Sequence, residues 1–423
     1  MRVEHLSLAN FRNYATAELP LGSGPQLLVG RNGQGKTNLV EAISYFDSLS
    51  SHRVSNDQPL IRAGEDSAVM RMKVAVRDRE VTLEIEFQRG KPKRAQINGS
   101  PVKTRELMQW FTCVVFAPED LMIARGEPAH RRSFLDEAIV TRNPAMEGVF
   151  RDYDRVLKQR NSLLKSARQG AARESVQATL PLWNEQLAGF GTRILAERRA
   201  LVTLLTPRLD RAYHHLVEND HRPSLRLEET MLGGRDLPID NLNSSDVSRE
   251  TSGIASDGSN AESFDVSSNV SRETLLTQFH HALNTMESAE LDRGVTLVGP
   301  HRDELHLELN DLPVKGYASH GETWSFVLSL RLAFAELLRD ESFAGDPVVI
   351  LDDVFAELDQ YRRHQLMLAV GDYEQIIVTA AVPEDIPKTV QWDVAEIDRG
   401  EIIRHSTHLE ALQRSIHAGE GVD

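Results

Sequence analysis

The chain has 423 residues, too many for one small core, so two or three domains are expected. Its hydrophobic content of 40 % and charged content of 26 % suit a globular protein, and no apolar run approaches the ~20 residues that span a bilayer. The net charge of −15 argues against a protein that coats nucleic acid indiscriminately, and a single cysteine excludes an intramolecular disulfide or a cysteine-cluster metal site.

The opening segment, MRVEHLSLANFRNY, carries no apolar core of a leader peptide, so a cytoplasmic location and no membrane partner are expected. Within it VEHLSLANF reads as a strand, and PQLLVG is a short apolar run ending in glycine. EVTLEIEF alternates at Val81, Leu83, Ile85 and Phe87, a half-buried strand. It passes the breakers Gly90 and Pro92 to QINGSPV, where Asn98-Gly99 is a hairpin signal. Cys113, in FTCVVFAPED, reads as a buried strand thiol.

From about 130 to 220 the pattern becomes helical. Met146, Phe150, Tyr153, Leu157 and Leu164 share one face; Trp183, Leu187, Phe190, Ile194, Leu201, Leu205 and Leu209 share another. The spacing predicts two long helices paired as an antiparallel hairpin, turning at SARQGAARES. Residues 121–215 hold 16 Lys/Arg against 10 Asp/Glu, a net of +6, which leaves −21 on the remainder. Such a segment is either a solvated helical face or a local anion-binding surface. Residues 236–275 are low in complexity, with ten serines between Ser244 and Ser271 and VSRET at both 247–251 and 270–274, and are expected to form a disordered or variable loop. After 290, strands are predicted at VTLVGP, ELHLELN, DPVVILDDV and EQIIVTAA. A helix is predicted at 322–339 with Phe326, Leu330, Ala333, Phe334 and Leu337 inward.

The strongest signal is LLVGRNGQGKTNLVEAI. Gly30, Gly35, Lys36 and Thr37 fit the phosphate-loop spacing, between an apolar strand and a helix led by Leu39, Val40 and Ile43. Gly30, Gly33 and Gly35 let the backbone curl around an anion, whose charge suits the exposed N–H groups and the helix N-terminus. Lys36 would reach the β- and γ-phosphates of a nucleotide, and Thr37 would hold Mg²⁺ through its hydroxyl. In VVILDDVFAELD, Asp352 and Asp353 end a buried strand, where a metal and an attacking water need acids. Asp352 is assigned to Mg²⁺ and Asp353 to the water. Lys36 and Asp352 lie more than 300 residues apart, so a large insertion must split one fold.

The pattern NFRNY…GRNGQGKTNLVEAI resembles the SMC-like branch of ABC ATPases. FAPEDL at 116–121, GEPAHRRSFLD at 126–136, GPHRDEL at 299–305 and ILDDVFAELD at 350–359 resemble, in order, motifs of the RecF family. The resemblance implies an α/β fold: an ABC/SMC-type P-loop ATPase head with an inserted helical-hairpin arm. The head would comprise 1–110 and 290–423, and the arm lobe 111–235. It further implies ATP and Mg²⁺ as cofactors, an ATP-driven homodimer with slow hydrolysis, and binding of single- and double-stranded DNA at junctions or gaps. RecR and RecO, loading RecA, would be pathway partners in repair, replication restart and the SOS response. Residue by residue, Gly30, Arg31, Asn32, Gly33, Gln34, Gly35, Lys36, Thr37 and Asn38 match the nucleotide loop, and Arg12 a residue beside it. Ser319, Gly321 and Glu322 match a signature turn aimed at the nucleotide of the other subunit, with Glu322 where glutamine is usual. Asp359 matches the D-loop. Thr379 stands where transporter ATPases carry a switch histidine.

Candidate contacts to a DNA backbone are Lys91, Lys93, Arg94, Arg131 and Arg132, with Arg193, Arg198 and Arg199 behind them. No base-reading motif is present. Two other readings stay open at this level: a nucleotide-switched clamp with negligible hydrolysis, and a transporter-type ABC ATPase.

Overall fold

The computed structural model describes residues 1–423 other than 52, 55, 171, 218–220, 233–266, 343, 383–385, 388, 389 and 407–423. It divides into two compact units: 1–144 with 202–225 and 307–423, and 145–201 with 226–306. In chain order the elements begin with β1 (Arg2–Phe11), β2 (Tyr14–Pro20), β3 (Gly24–Val29), α1 (Lys36–Ser48), β4 (Ser67–Val76) and β5 (Arg79–Gln88). Then come β6 (Arg94–Ile97), β7 (Ser100–Val102), β8 (Cys113–Phe116), α2 (Leu121–Arg125), α3 (Pro128–Arg142), α4 (Met146–Arg168) and α5 (Arg173–Leu216). They are followed by β9 (Ser224–Glu228), α6 (Ser267–Arg293), β10 (Glu304–Leu309), β11 (Leu312–Pro313), α7 (Val314–Tyr317) and α8 (His320–Glu341). The chain closes with β12 (Val348–Leu351), α9 (Gln360–Val370), β13 (Gln375–Ala380), β14 (Asp393–Asp398) and β15 (Glu401–Ser406).

The first unit is built on two six-stranded sheets. One is antiparallel, ordered β2-β1-β4-β5-β6-β7. Val81, Leu83, Ile85 and Phe87 are its buried face, as the period-2 pattern predicts. Asn98 and Gly99 both take positive φ, and Ile97 pairs with Ser100, the two-residue hairpin that Asn-Gly favours. The other sheet, β15-β14-β3-β13-β12-β8, is parallel from β14 to β8 with antiparallel β15 at its edge. Its inner strands are continuous apolar runs because both faces are covered: Val348–Leu351 is buried throughout. Leu39, Ile43 and Phe46 of α1 join Leu6, Met70 and Leu83 of one sheet to Leu28, Ile350 and Ile377 of the other in a single core. Cys113 is a buried thiol on β8. Phe326, Leu330, Ala333, Phe334 and Leu337 of α8 are buried as expected, but so is every residue from Thr323 to Leu330, so this helix is covered all round.

The second unit corrects three expectations. The arm is not a two-helix hairpin: α6 supplies a third helix, and Leu291 packs with Leu164 of α4 and with Val176 and Leu180 of α5. Of the low-complexity stretch 236–275, residues 236–266 lie outside the described residues, while 267–275 are the start of α6. Residues 295–300 are turns and not a strand, since side chains take their backbone groups: Thr296 N–H donates to Asn161 Oδ1 at 2.7 Å and Leu297 N–H to Glu290 Oε1 at 2.7 Å. The expected domain limits move as well. Residues 111–144 go with the first unit, because β8 belongs to its parallel sheet, and 290–306 go with the helical unit, because α6 leads into them.

Arg160 is fully buried in the helical unit. Its guanidinium donates to Asn184 Oδ1 at 2.9 Å, Thr296 Oγ1 at 2.8 Å and Glu290 Oε2 at 2.5 Å. A buried ion pair is costly to break from one side, because the partner charge stays desolvated. Arg160→Leu is therefore expected to cost about 3–5 kcal/mol in urea unfolding, and Arg160→Leu/Glu290→Leu to recover most of it. Equal losses in the single and double variants would contradict this account.

Candidate nucleotide-binding site

Strand β3 delivers the chain to Gly30 at the C-terminal edge of the parallel sheet, where the Gly30 N–H donates to Ala380 O at 3.2 Å. A Cβ on Gly30 would lie 2.2 Å from Ile397 O, and one on Gly35 would meet Asn13 Nδ2 and Tyr14 Oη, both at 2.7 Å. Gly35 also has φ +120°, which side chains avoid. The loop is braced from outside: Asn13 Nδ2 donates to Gln34 O at 3.1 Å, Tyr14 Oη to Gly35 O at 3.1 Å and the Gly400 N–H to Gln34 O at 2.9 Å. Arg31 and Asn32 are exposed on its rim. Helix α1 begins at Lys36 without a side-chain cap. The N–H groups of Gly33, Gly35, Lys36 and Thr37 have no acceptor among the described residues. Together they make an anion cradle. Lys36 is buried, its Nζ donating to Gly30 O at 2.8 Å and standing 3.9 Å from Asp353 Oδ1.

Register brings the acids to this loop. Val29 pairs with Ala380, and Leu351 pairs with Val378 and Phe116, so Asp352 emerges beside Thr379. Thr379 Oγ1 donates to Asp352 Oδ1 at 2.6 Å, lies 3.3 Å from Asp353 Oδ1 and accepts the Asp353 N–H at 2.9 Å. Those bonds hold Asp353 in a left-handed conformation, φ +51°, that few residues other than glycine take and that aspartate tolerates better than most. Thr37 Oγ1 is 3.4 Å from Asp352 Oδ1. Burial pushes the Asp352 carboxyl up to about 6, helped by the nearby charges of Asp353 and Glu119 and opposed by the Thr379 and Thr37 hydroxyls.

The signature turn is a separate set of residues: among the described residues, no hydrogen bond joins Ser319, Gly321 or Glu322 to Lys36, Thr37, Asp352 or Asp353. Ser319 caps α8 through a reciprocal box, with the Glu322 N–H donating to Ser319 Oγ at 3.3 Å and the Ser319 N–H to Glu322 Oε2 at 2.7 Å. Those bonds, above all, hold the Glu322 carboxyl below its ordinary value, with smaller help from His221 and Arg362. Asp359 caps α9, its Oδ1 accepting the Arg362 N–H at 2.8 Å.

The family model described as RecF/RecN/SMC N terminal domain matches residues 2–393. A protein named DNA replication and repair protein RecF, from Clavibacter sepedonicus, is 47 % identical over 421 residues, covering 100 % of this chain and 99 % of that one. The chain belongs to the RecF family. A RecF-named relative from Leifsonia xyli subsp. xyli is 47 % identical over 406 residues, covering 96 % of this chain and 100 % of its own. Among solved structures, the recombination mediator protein RecF-ATPrS in the RecFOR pathway superposes with a TM-score of 0.77 at 25 % identity, over 95 % of this chain and 97 % of that one. The SmcHead bound to the C-winged helix domain of ScpA, at TM-score 0.50 and 14 % identity over 98 % of this chain and 100 % of that one, shares the fold alone. The fold is thus that of the SMC-type ABC ATPase head.

Several basic residues expected on DNA are engaged inside this RecF-family chain. Arg131 is buried, and its guanidinium donates to Ile123 O at 3.2 Å and Gly126 O at 3.1 Å, closing the end of α2. Lys93 donates to Tyr45 Oη at 2.6 Å and Leu49 O at 2.7 Å, beside Asp57 at 3.3 Å. Arg198 is buried against Pro300 O at 2.7 Å, and Arg199 forks onto Glu229. Lys91, Arg94 and Arg193 are exposed, and Arg132 is half-buried. Arg12 is not free beside the loop either: its Nε donates to Glu41 Oε2 at 2.8 Å, and Arg53 is 3.5 Å from the same carboxylate. Arg53 Nη1 also donates to Asn38 Oδ1 at 2.9 Å.

Glu41 is the part that motif reading passes over, and Thr379, read only as standing in place of a switch histidine, is found bonded to both acids. Each left a signal, a carboxylate inside the apolar face LVEAI and a hydroxyl inside the buried strand IIVTAA. No helix among the described residues is long and apolar enough to cross a membrane.

Thr379→Val removes the donor to Asp352, so the Asp352 carboxyl should titrate above about 6 in ¹³C NMR; an unchanged or lower value contradicts the assignment. Because the folded value lies above the ordinary 3.8, the protonated form favours the fold. This group's contribution to stability is therefore full below pH 3.8 and lost as pH rises through 6, a slope that Asp352→Asn should abolish.

Proposed function

We propose that this chain is an ATP-dependent DNA-binding protein of recombinational repair and replication restart, and a slow ATPase. The observation that carries the reading is the meeting of Thr37 Oγ1 and Asp352 Oδ1 at 3.4 Å from positions 315 residues apart. A hydroxyl and a carboxylate side by side, next to a glycine cradle that a Cβ would fill, suit a hard divalent cation carried on a polyphosphate. Thr37 and Asp352 would hold Mg²⁺; the backbone from Gly30 to Thr37 and the Lys36 ammonium would hold the phosphates. The cation supplies charge neutralisation on the β- and γ-oxygens. Asp353, set in place by Thr379, would orient the attacking water. Lys36 must leave its carbonyl partners to meet a phosphate, exchanging neutral acceptors for charged ones.

ATP binding is supported by the RecF-ATP structures among the neighbours of this fold. In this reading ATP brings two copies together, so that Ser319, Gly321 and Asp359 of each approach the nucleotide of the other. Glu322 is retained by the Ser319 cap, which keeps its charge turned away from that phosphate. The repair assignment rests on the relatives named for DNA replication and repair and on the RecFOR pathway of the solved neighbour. Gaps and junctions between single and double strands are the proposed DNA, with RecR and RecO as co-workers in loading RecA, in the cytoplasm, and with a part in SOS induction. The exposed Lys91, Arg94 and Arg193 remain as backbone contacts.

Lys36→Ala should weaken MgATP binding by at least roughly tenfold, about 1.4 kcal/mol, in equilibrium dialysis. Asp353→Asn should bind MgATP, lose turnover and accumulate as a dimer in light scattering. A variant that turns over normally would remove Asp353 from the chemistry. Gapped DNA should raise turnover at low salt and lose that effect at high salt, since phosphate contacts release counterions. An absence of any DNA effect at both salts overturns the repair reading.

A further inference from the structure

The caps of α8 and α9 meet at one side chain, that of Arg362. Arg362 donates its N–H to Asp359 Oδ1 at 2.8 Å, and its Nη1 returns to Asp359 Oδ2 at 3.3 Å. The same guanidinium stands beside the signature turn: a Cβ on Gly321 would fall 2.8 Å from Arg362 Nη1. Next to it, His320 Nε2 is 3.5 Å from Glu357 Oε2, and His320 Nδ1 is 2.8 Å from Arg125 Nη2. Glu357 ends the short 3₁₀ turn Val354–Glu357 that starts directly after Asp353.

Helix stability does not explain the placing of Arg362. It sits in the first turn of α9 and against the first turn of α8, two places where the helix dipole disfavours a cation. The Asp359 carboxylate at 3.3 Å and, more weakly, the charge of Glu322 offset that cost. A planar fork with several donors can grip a carboxylate while lying flat on a glycine; a lysine cannot.

We propose that Arg362 is a positioning residue that locks the signature turn Ser319–Glu322 to the Asp359 loop of the same subunit. One copy then presents both to a nucleotide held by a second copy as a single rigid unit. A side chain at Gly321 would push the guanidinium aside. The inference rests on the proposed function for its nucleotide, and on the geometry alone for the lock itself.

Two measurements separate these layers. In hydrogen–deuterium exchange without nucleotide, Arg362→Ala should quicken exchange in 319–324 and in 357–362 together, and Gly321→Ala should do the same by displacing the guanidinium. With MgATP, Arg362→Ala should leave monomer affinity within about twofold of wild type. Its ATP-driven dimerisation and turnover should fall by at least roughly tenfold, since misplacing a positioning element by about 1 Å can cost on the order of a hundredfold. Arg362→Lys keeps the charge but not the fork and should leave that loss in place. Unchanged exchange in either segment, full recovery by lysine, or wild-type dimerisation in Arg362→Ala overturns the proposal. If wild-type protein does not dimerise with ATP, the functional reading fails, and the exchange data still decide the lock.

Discussion

The parallel pairing of β13 between β3 and β12 is the constraint on which the site depends. It sets Ala380 against Val29 and Val378 against Leu351, leaving Thr379 level with the ends of both neighbours. From there one hydroxyl reaches Asp352 and accepts from the Asp353 backbone. A slip of one residue would turn Thr379 to the other face of the sheet and leave the buried Asp352 with the Thr37 hydroxyl alone. The acids, the glycine loop and the first turn of α1 therefore stand or fall with a hydrogen-bond ladder between residues that have no chemistry of their own.

Charge in this chain is spent largely on architecture. Arg12 and Arg53 share the buried Glu41, Arg160 pairs with Glu290, and Arg131 and Arg198 donate to backbone carbonyls. A buried guanidinium needs such partners, since its desolvation exceeds what any single bond returns. That is why a basic count along the arm is a poor guide to a nucleic-acid surface. Other cations remain outward both on the hairpin rim, at Lys91 and Arg94, and along the arm, at Arg151, Arg155, Lys158 and Arg193.

The signature turn shows one residue meeting two demands. Glu322, in the first turn of α8, returns to the Ser319 N–H, where a carboxylate suits the positive helix end. The same bond fixes which way the carboxylate faces. A glutamine would cap with its amide oxygen but would not balance the adjacent His221 and Arg362.

Sequence by itself determined the local and periodic features: the phosphate loop with its glycines, the two acids ending an apolar strand, the Asn98-Gly99 hairpin, the half-buried strand β5 and the splitting of one head by a long insertion. These are legible because backbone sterics and period-2 or 3.6 burial act between near neighbours. Only the tertiary structure decided the rest. It made α6 the third helix of the arm, where a serine-rich flank hid the helix start. It turned Arg131, Lys93 and Arg198 inward, and set Glu41, Thr379 and Arg362 as the supports of Arg12, the two acids and the signature turn. Lys93, Arg198, Glu41 and Thr379 all bond to residues far from them in the chain, and such a partner is invisible until the fold brings it within reach.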